Sequence, residues 1–154
     1  HVLLDQQDVE SPYLPIFQPL LDSVSDAMPY PVEFFRVRLA LQLANGKDSY
    51  NGPHTDSEQD HYAALFYLHD SSGDTVFFHE YDDPSYGTVE QRWMKATTQE
   101  YNECMRVTPV ANKLFAFDGH RFHSSSNPTT NAYRVILNLN FHCEHDLFDF
   151  TESR

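Results

Sequence analysis

Short runs rich in aromatic and β-branched residues recur along most of this chain, each stopped by a cluster of turn formers. The runs cover 34–43, 62–68, 75–79, 106–110, 113–118 and 133–141. Between them lie Asn45-Gly46, Asn51-Gly52-Pro53, Ser71-Ser72-Gly73-Asp74 and the polar stretch 124–131. Segments of this length cannot bury an apolar face alone, and their regular punctuation predicts an all-β antiparallel sandwich or barrel. Hydrophobic residues make up 40% of the 154 and aromatics 14%, enough to build a core despite a net charge of −13. Neither an internal repeat nor a shift in composition divides the chain, so a single domain over 1–154 is expected.

Two stretches depart from the strand rhythm. Within 13–27, Ile16, Phe17, Leu20, Leu21 and Val24 approach helical spacing, and Pro29 and Pro31 close the segment, which predicts a short amphipathic helix. Residues 80–103 are polar, carry the only tryptophan, Trp93, and form a connection long for a compact domain. Part of this connection, about 88–102, has helical character. Two readings suit it, a surface excursion or a lid over a substrate, with Tyr81, Tyr86, Trp93 and Tyr101 supplying contact area.

Charge narrows the partners. Acidic residues outnumber basic ones 23 to 10, and no basic cluster relieves the repulsion such a surface exerts on phosphates, so nucleic acid is not an expected partner. No run of about 18 apolar residues is present, and no membrane span is expected. Two cysteines, Cys104 and Cys143, do not make a disulfide framework, and the first residues lack the regions of a signal peptide. A reducing, cytoplasmic setting is therefore expected. The chain starts at His1 rather than Met, as a fragment or processed chain would.

Among nine histidines, His54-Thr55-Asp56 could offer an imidazole nitrogen and a carboxylate oxygen to one ion, because positions i and i+2 of an extended segment face the same side; His142-Cys143-Glu144 is a second pair of this kind, and what sets the first apart is its company downstream. Further along, 117–124 reads Phe-Asp-Gly-His-Arg-Phe-His-Ser, and Arg134 follows His123 by 11 residues. In 133–141, Tyr133, Val135, Leu137, Leu139 and Phe141 share one face, expected to be core. Arg134, Ile136, Asn138 and Asn140 share the other. A guanidinium and two amides on one face of an apolar strand suggest a lined cavity, since a buried unpaired cation is costly and an anionic ligand would supply its partner.

An H-x-D pair, a distal His and an Arg about ten residues beyond it, in this order along short strands, resembles the Fe(II)- and 2-oxoglutarate-dependent dioxygenases, and in particular their prolyl 4-hydroxylase-like branch. Ala63-Ala64-Leu65-Phe66-Tyr67-Leu68-His69 looks like that branch's strand ending in Tyr-Leu-Asn. Gly73-Asp74-Thr75-Val76-Phe77-Phe78 looks like its Gly-Gly-x-Thr-x-Phe strand, and Lys113-Leu114-Phe115-Ala116-Phe117-Asp118 like the strand that leads to the distal His. The departures are His69 for Asn, Asp74 for the second glycine, and Arg134 where the branch often has Lys. The resemblance covers about 34–141 and implies a double-stranded β-helix, the jelly-roll barrel, with one or two flanking helices. It implies that His54, Asp56 and His123 hold Fe(II), that Arg134 pairs with the distal carboxylate of 2-oxoglutarate, and that the Tyr67 hydroxyl assists there. The activity implied is hydroxylation of an unactivated carbon in a peptide or small molecule, using O2 and releasing succinate and CO2, with ascorbate admitted as an accessory. Two imidazoles and one carboxylate on one face of a metal suit that chemistry, and guanidinium matches carboxylate with two parallel donors.

Rival residues and readings stand beside these. His120 competes with His123 for the distal position, although alternation turns only one of them inward. Arg121 suits the surface better than the anchor role. His142, Glu144 and His145 crowd the C-terminal end, where the acidic tail 143–154 begins, and read as a solvated edge, while Asn138 suits either the pocket lining or a structural amide. The other functional class is a noncatalytic cupin-like barrel that binds a metal or small anion.

Overall fold

A computed structural model describes residues 1–6 and 8–148; the end of the acidic tail, 149–154, lies outside the described residues. Among the described residues, nine strands and two helices follow in the order β1 (Val2–Asp5), β2 (Asp8–Val9), α1 (Leu14–Ala27), β3 (Val32–Leu43), β4 (Tyr62–Tyr67), β5 (Thr75–Tyr81), α2 (Val89–Thr98), β6 (Glu103–Val107), β7 (Leu114–Asp118), β8 (Arg121–Ser125) and β9 (Tyr133–Cys143). They form a six-stranded sheet, β2-β1-β3-β9-β4-β7, and a three-stranded sheet, β6-β5-β8. All pairings are antiparallel. Residues 50–54 border β8 through two isolated bridges, Tyr50 to Ser126 and His54 to His123, and so act as a fourth, irregular member of the smaller sheet. This is the expected all-β jelly roll. No helix among the described residues is long and apolar enough to cross a membrane.

The alternation of β9 organises the interior. Leu137, Leu139 and Phe141 are buried with Leu14, Leu21 and Val24 of α1 and with Leu3 and Val37, making a core on the outer side of the larger sheet. On the inner side Ala63, Leu65, Tyr67, Phe77, Val107 and Phe117 fill the space between the sheets. Both faces of β9 are therefore covered, as the sequence reading of its polar face requires. Tyr133 departs from that reading: it is 49% exposed. The pleat assigns it to the core face, but the buried cluster under α1 ends at Leu137, four residues further along β9.

Other differences have local causes. The strand expected over 106–110 lies at Glu103–Val107, because Pro109 has no N–H to give a ladder. Helix α1 holds Pro19 in its interior, and the apolar contacts of Leu21 and Val24 outweigh the lost hydrogen bond there. Helix α2 begins with a capping box: the Thr88 hydroxyl accepts from the Gln91 amide at 3.3 Å, and Gln91 Oε1 accepts from the Thr88 amide at 2.9 Å. It ends at Thr98 rather than near 102, and none of its residues is buried.

A candidate metal and anion site

Three segments distant in sequence meet on the inner face of the barrel. His54 is clipped to β8 by its own backbone: its N–H donates to the His123 carbonyl at 2.9 Å, and the His123 N–H returns the bond at 3.0 Å. The Ser124 hydroxyl holds the preceding turn through the Asn51 carbonyl at 2.6 Å. The two imidazole rings lie 4.8 Å apart, and the Asp56 carboxylate stands 3.6 Å from His123 Nε2. The ligand atoms of His54, Asp56 and His123 all lie within 4.8 Å of one another, and no other such group of three exists among the described residues.

The protonation states suit ligation. Nδ1 of His54 faces the Gly52 carbonyl and Nδ1 of His123 the Arg121 carbonyl, each at 3.1 Å. A carbonyl only accepts, so each Nδ1 carries the proton and each Nε2 keeps a lone pair for a metal. Burial holds His123 neutral and lowers its pKa to about 4, against the pull of the Asp56 charge. Burial alone would raise the Asp56 pKa, but His123, the amides of Asn138 and Asn140, and His54 outweigh it and bring it down to about 2. Asn138 and Asn140 both donate to one oxygen of Asp56, at 3.0 and 3.1 Å. The Arg36 guanidinium fixes the Asp56 carbonyl at 2.8 Å.

Beside these groups opens a cavity of about 300 Å³, with His54, His123, Arg38, Leu65, Thr75, Arg134, Ile136 and Asn138 on its walls. Arg134 is 2% exposed. Its Nη2 donates to the Thr75 hydroxyl at 2.6 Å and its Nη1 to the Asp74 carbonyl at 3.4 Å, while its Nε has no partner among the described residues. None of the salt bridges among the described residues includes it. A buried guanidinium held only by neutral groups is a strong attractor for a carboxylate. Tyr67 sits one step back: its hydroxyl meets Thr75 Oγ1 at 2.8 Å, and it is Thr75 that reaches the cavity wall.

The remaining sequence candidates fall elsewhere. His120 pairs with Asp60 at 2.9 Å, and Arg121 covers the Tyr81 ring at 4.9 Å. His142 stacks on Phe35 and His145 packs on Tyr30. A larger hollow of about 710 Å³, lined by Phe77, Phe117, His61 and His120 among others, contains none of the three converging groups. A small cleft of about 170 Å³ touches the far side of His54, between Thr55 and the α2 residues Arg92 and Trp93. Sequence reasoning missed Arg38, Thr75 and the supporting role of Arg36. The available signal was the alternation Arg36-Val37-Arg38 in β3, two cations flanking a core residue.

Comparison with solved structures agrees with the fold. The chain is similar to a 2OG-Fe(II) oxygenase family oxidoreductase from Burkholderia pseudomallei, with TM-score 0.57 and 15% identity over 95% of this chain and 66% of that one. It is similar to EvdMO1, with TM-score 0.59 and 16% identity over 94% of this chain and 35% of that one. It also resembles iron-bound HygX from Streptomyces hygroscopicus, with TM-score 0.51 and 12% identity over 85% of this chain and 66% of that one. The chain thus spans between about a third and two thirds of the length of these proteins. The sequence matches no protein-family model and no curated protein. What the comparisons establish is architecture: this chain has the jelly-roll fold found in 2OG-Fe(II) oxygenases.

Proposed function

We propose that the protein is an Fe(II)- and 2-oxoglutarate-dependent oxygenase that hydroxylates an unactivated carbon of a peptide or small molecule, as the prolyl 4-hydroxylase-like branch does. The observation that carries this reading is that a buried, anion-seeking Arg134 lines the same cavity as His54 and His123, the two histidines that converge with Asp56. A barrel that only stored a metal would gain nothing from a carboxylate clamp there.

In this reading His54, Asp56 and His123 hold the iron through two imidazole nitrogens and one carboxylate oxygen, a donor set that suits non-haem Fe(II) and leaves coordination positions free. When bound, the iron and the keto acid together supply the oxidising chemistry, with succinate and CO2 as the spent products. The protein does the positioning. Arg134 receives the distal carboxylate, and Thr75, held by Tyr67, fixes the guanidinium. Leu65 and Ile136 line the cavity with apolar surface that limits water. Asn138 and Asn140 keep Asp56 charged and aimed.

Anaerobic addition of ferrous iron and 2-oxoglutarate tests the reading through the weak visible charge-transfer band of the chelate. His123→Ala is expected to abolish the band. Arg134→Ala is expected to weaken 2-oxoglutarate binding by about tenfold to a hundredfold, the worth of a charge-assisted hydrogen bond, while iron binding persists. Unchanged keto-acid affinity in Arg134→Ala would overturn the assignment. Failure of the wild type to form the chelate would leave the cupin-like binding barrel as the better description.

A further inference from the structure

The cavity holds a second guanidinium that the proposed function does not use. Arg38 lies on β3 directly opposite Asn138 of β9, and it lines the same cavity as Arg134. Its Nη2 stops 3.6 Å from Asp56 Oδ1, beyond hydrogen-bond range, and its side chain is only partly exposed. Arg38 makes no side-chain hydrogen bond among the described residues, and the amides of Asn138 and Asn140 already support Asp56. A guanidinium beside a metal-binding carboxylate counters that ligand's charge and repels an incoming dication. On metal binding alone, Arg38 is a cost.

The cost disappears if an anion joins the metal. With Asp56 negative, Arg38 and Arg134 positive and a divalent ion present, the cavity carries a net charge of about +3, which a dianion lowers to about +1. The two arginines also stand at different levels of the sheet. Arg38 faces Asn138 and Gln42 faces Arg134, so they are four residues apart along the paired strands, about 13 Å at roughly 3.3 Å per residue. Arg38 marks the metal end and Arg134 the far end. A keto diacid has one carboxylate for each.

We infer that Arg38 is a positioning residue that receives the carboxylate adjacent to the ketone and thereby couples keto-acid binding to metal binding. This rests on the keto-acid reading above. Linkage makes the coupling reciprocal: the keto acid tightens the metal by the factor by which the metal tightens the keto acid, and loss of Arg38 lowers that factor.

The test is titration of Mn(II) with and without 2-oxoglutarate, and of 2-oxoglutarate with Mn(II) bound, in the wild type, Arg38→Met and Arg38→Lys. Binding is read by calorimetry and by the electron paramagnetic resonance signal of Mn(II). In Arg38→Met, Mn(II) alone is expected to bind as tightly as in the wild type or tighter, while 2-oxoglutarate weakens by about tenfold to a hundredfold. Arg38→Lys, which keeps the charge, recovers part of that loss. A keto monoacid such as 2-oxovalerate is expected to lose as much affinity as 2-oxoglutarate in Arg38→Met, because both present the same near carboxylate; in Arg134→Ala only 2-oxoglutarate suffers. If Arg38→Met instead weakens Mn(II) alone and leaves the keto acid unchanged, Arg38 merely orients Asp56 and the inference is overturned. Should wild-type protein with Mn(II) bind no 2-oxoglutarate, the functional reading fails first and the inference falls with it.

Discussion

His61 is a buried residue that the proposed reaction leaves idle. Its Nδ1 donates to the Gln59 carbonyl at 2.7 Å, while its buried Nε2 has no partner among the described residues. A Cβ at Gly119 would collide with the His61 ring, so only glycine lets the β7–β8 turn close over it. Burial lowers the His61 pKa in the folded protein, as it does that of His123. The unfolded chain, with an ordinary histidine pKa near 6.5, then takes up protons that the folded one refuses. The sign follows directly: this contribution to stability is intact above about pH 6.5 and is lost as the pH falls towards the depressed folded values. Thermal melting of metal-free protein between pH 7.5 and 5 is expected to show Tm falling with acidity. His61→Phe should flatten that slope; an unchanged slope would mean that His61 is solvated when folded. None of this was visible in the sequence, where His61 is one of nine histidines and nothing marks it as interior.

At the level of elements, the runs that became β3 to β7 and β9 were legible, while β1, β2 and β8 were not. Strands β3 and β9 pair over eleven positions, and their own alternation names both faces, so the polar row Arg134, Ile136, Asn138 and Asn140 can be placed from residue order alone. Strands β1, β2 and β8 have two to five residues and exist because a neighbour's edge receives them. No local pattern announces such segments. Helix α2 is a different case: a capping box starts it, yet none of its residues is fully buried, and only Ala96 packs partly against Val76, Phe78 and Phe122. It presents Trp93, 67% exposed, to the cleft that touches His54. On the lid reading of 80–103, Trp93 would supply contact area to a substrate lying beside His54. Trp93→Ala is expected to raise KM for the primary substrate about fivefold or more, from loss of an aromatic contact worth about 1 kcal/mol or more. The 2-oxoglutarate affinity should stay as it is. Loss of keto-acid binding in that variant would place Trp93 on the wrong side of the metal.

Across the whole molecule, a metal bound by His54, Asp56 and His123 would tie the irregular 50–56 segment to β8 and, through the amides of Asn138 and Asn140, to β9 of the other sheet. Such an ion binds the folded chain and has no comparable site in the unfolded one. At a hundred times its Kd it stabilises by about 2.7 kcal/mol, or roughly 5 to 10 °C in Tm for a domain of this size. Addition of a chelator is expected to remove that increment from the wild type and nothing from His123→Ala; equal melting of the wild type with and without chelator would show that the three groups hold no ion. Alternation and turn chemistry act between near neighbours, and by themselves they determined that this chain is a strand-rich sandwich or barrel with a polar face on one buried strand. The order His54, Asp56, His123, Arg134 pointed to a site by resemblance. Tertiary structure alone decided which groups surround it: Arg36 and Arg38 come from a strand whose sequence shows two ordinary cations, Thr75 stands at the wall with the Tyr67 hydroxyl bonded behind it, and His120 turns to Asp60. The reason is that those relations depend on which strands become neighbours across the sheets: local alternation can put Arg36 and Arg38 on one face, but not show which residues, roughly 20 to 80 positions apart, meet there.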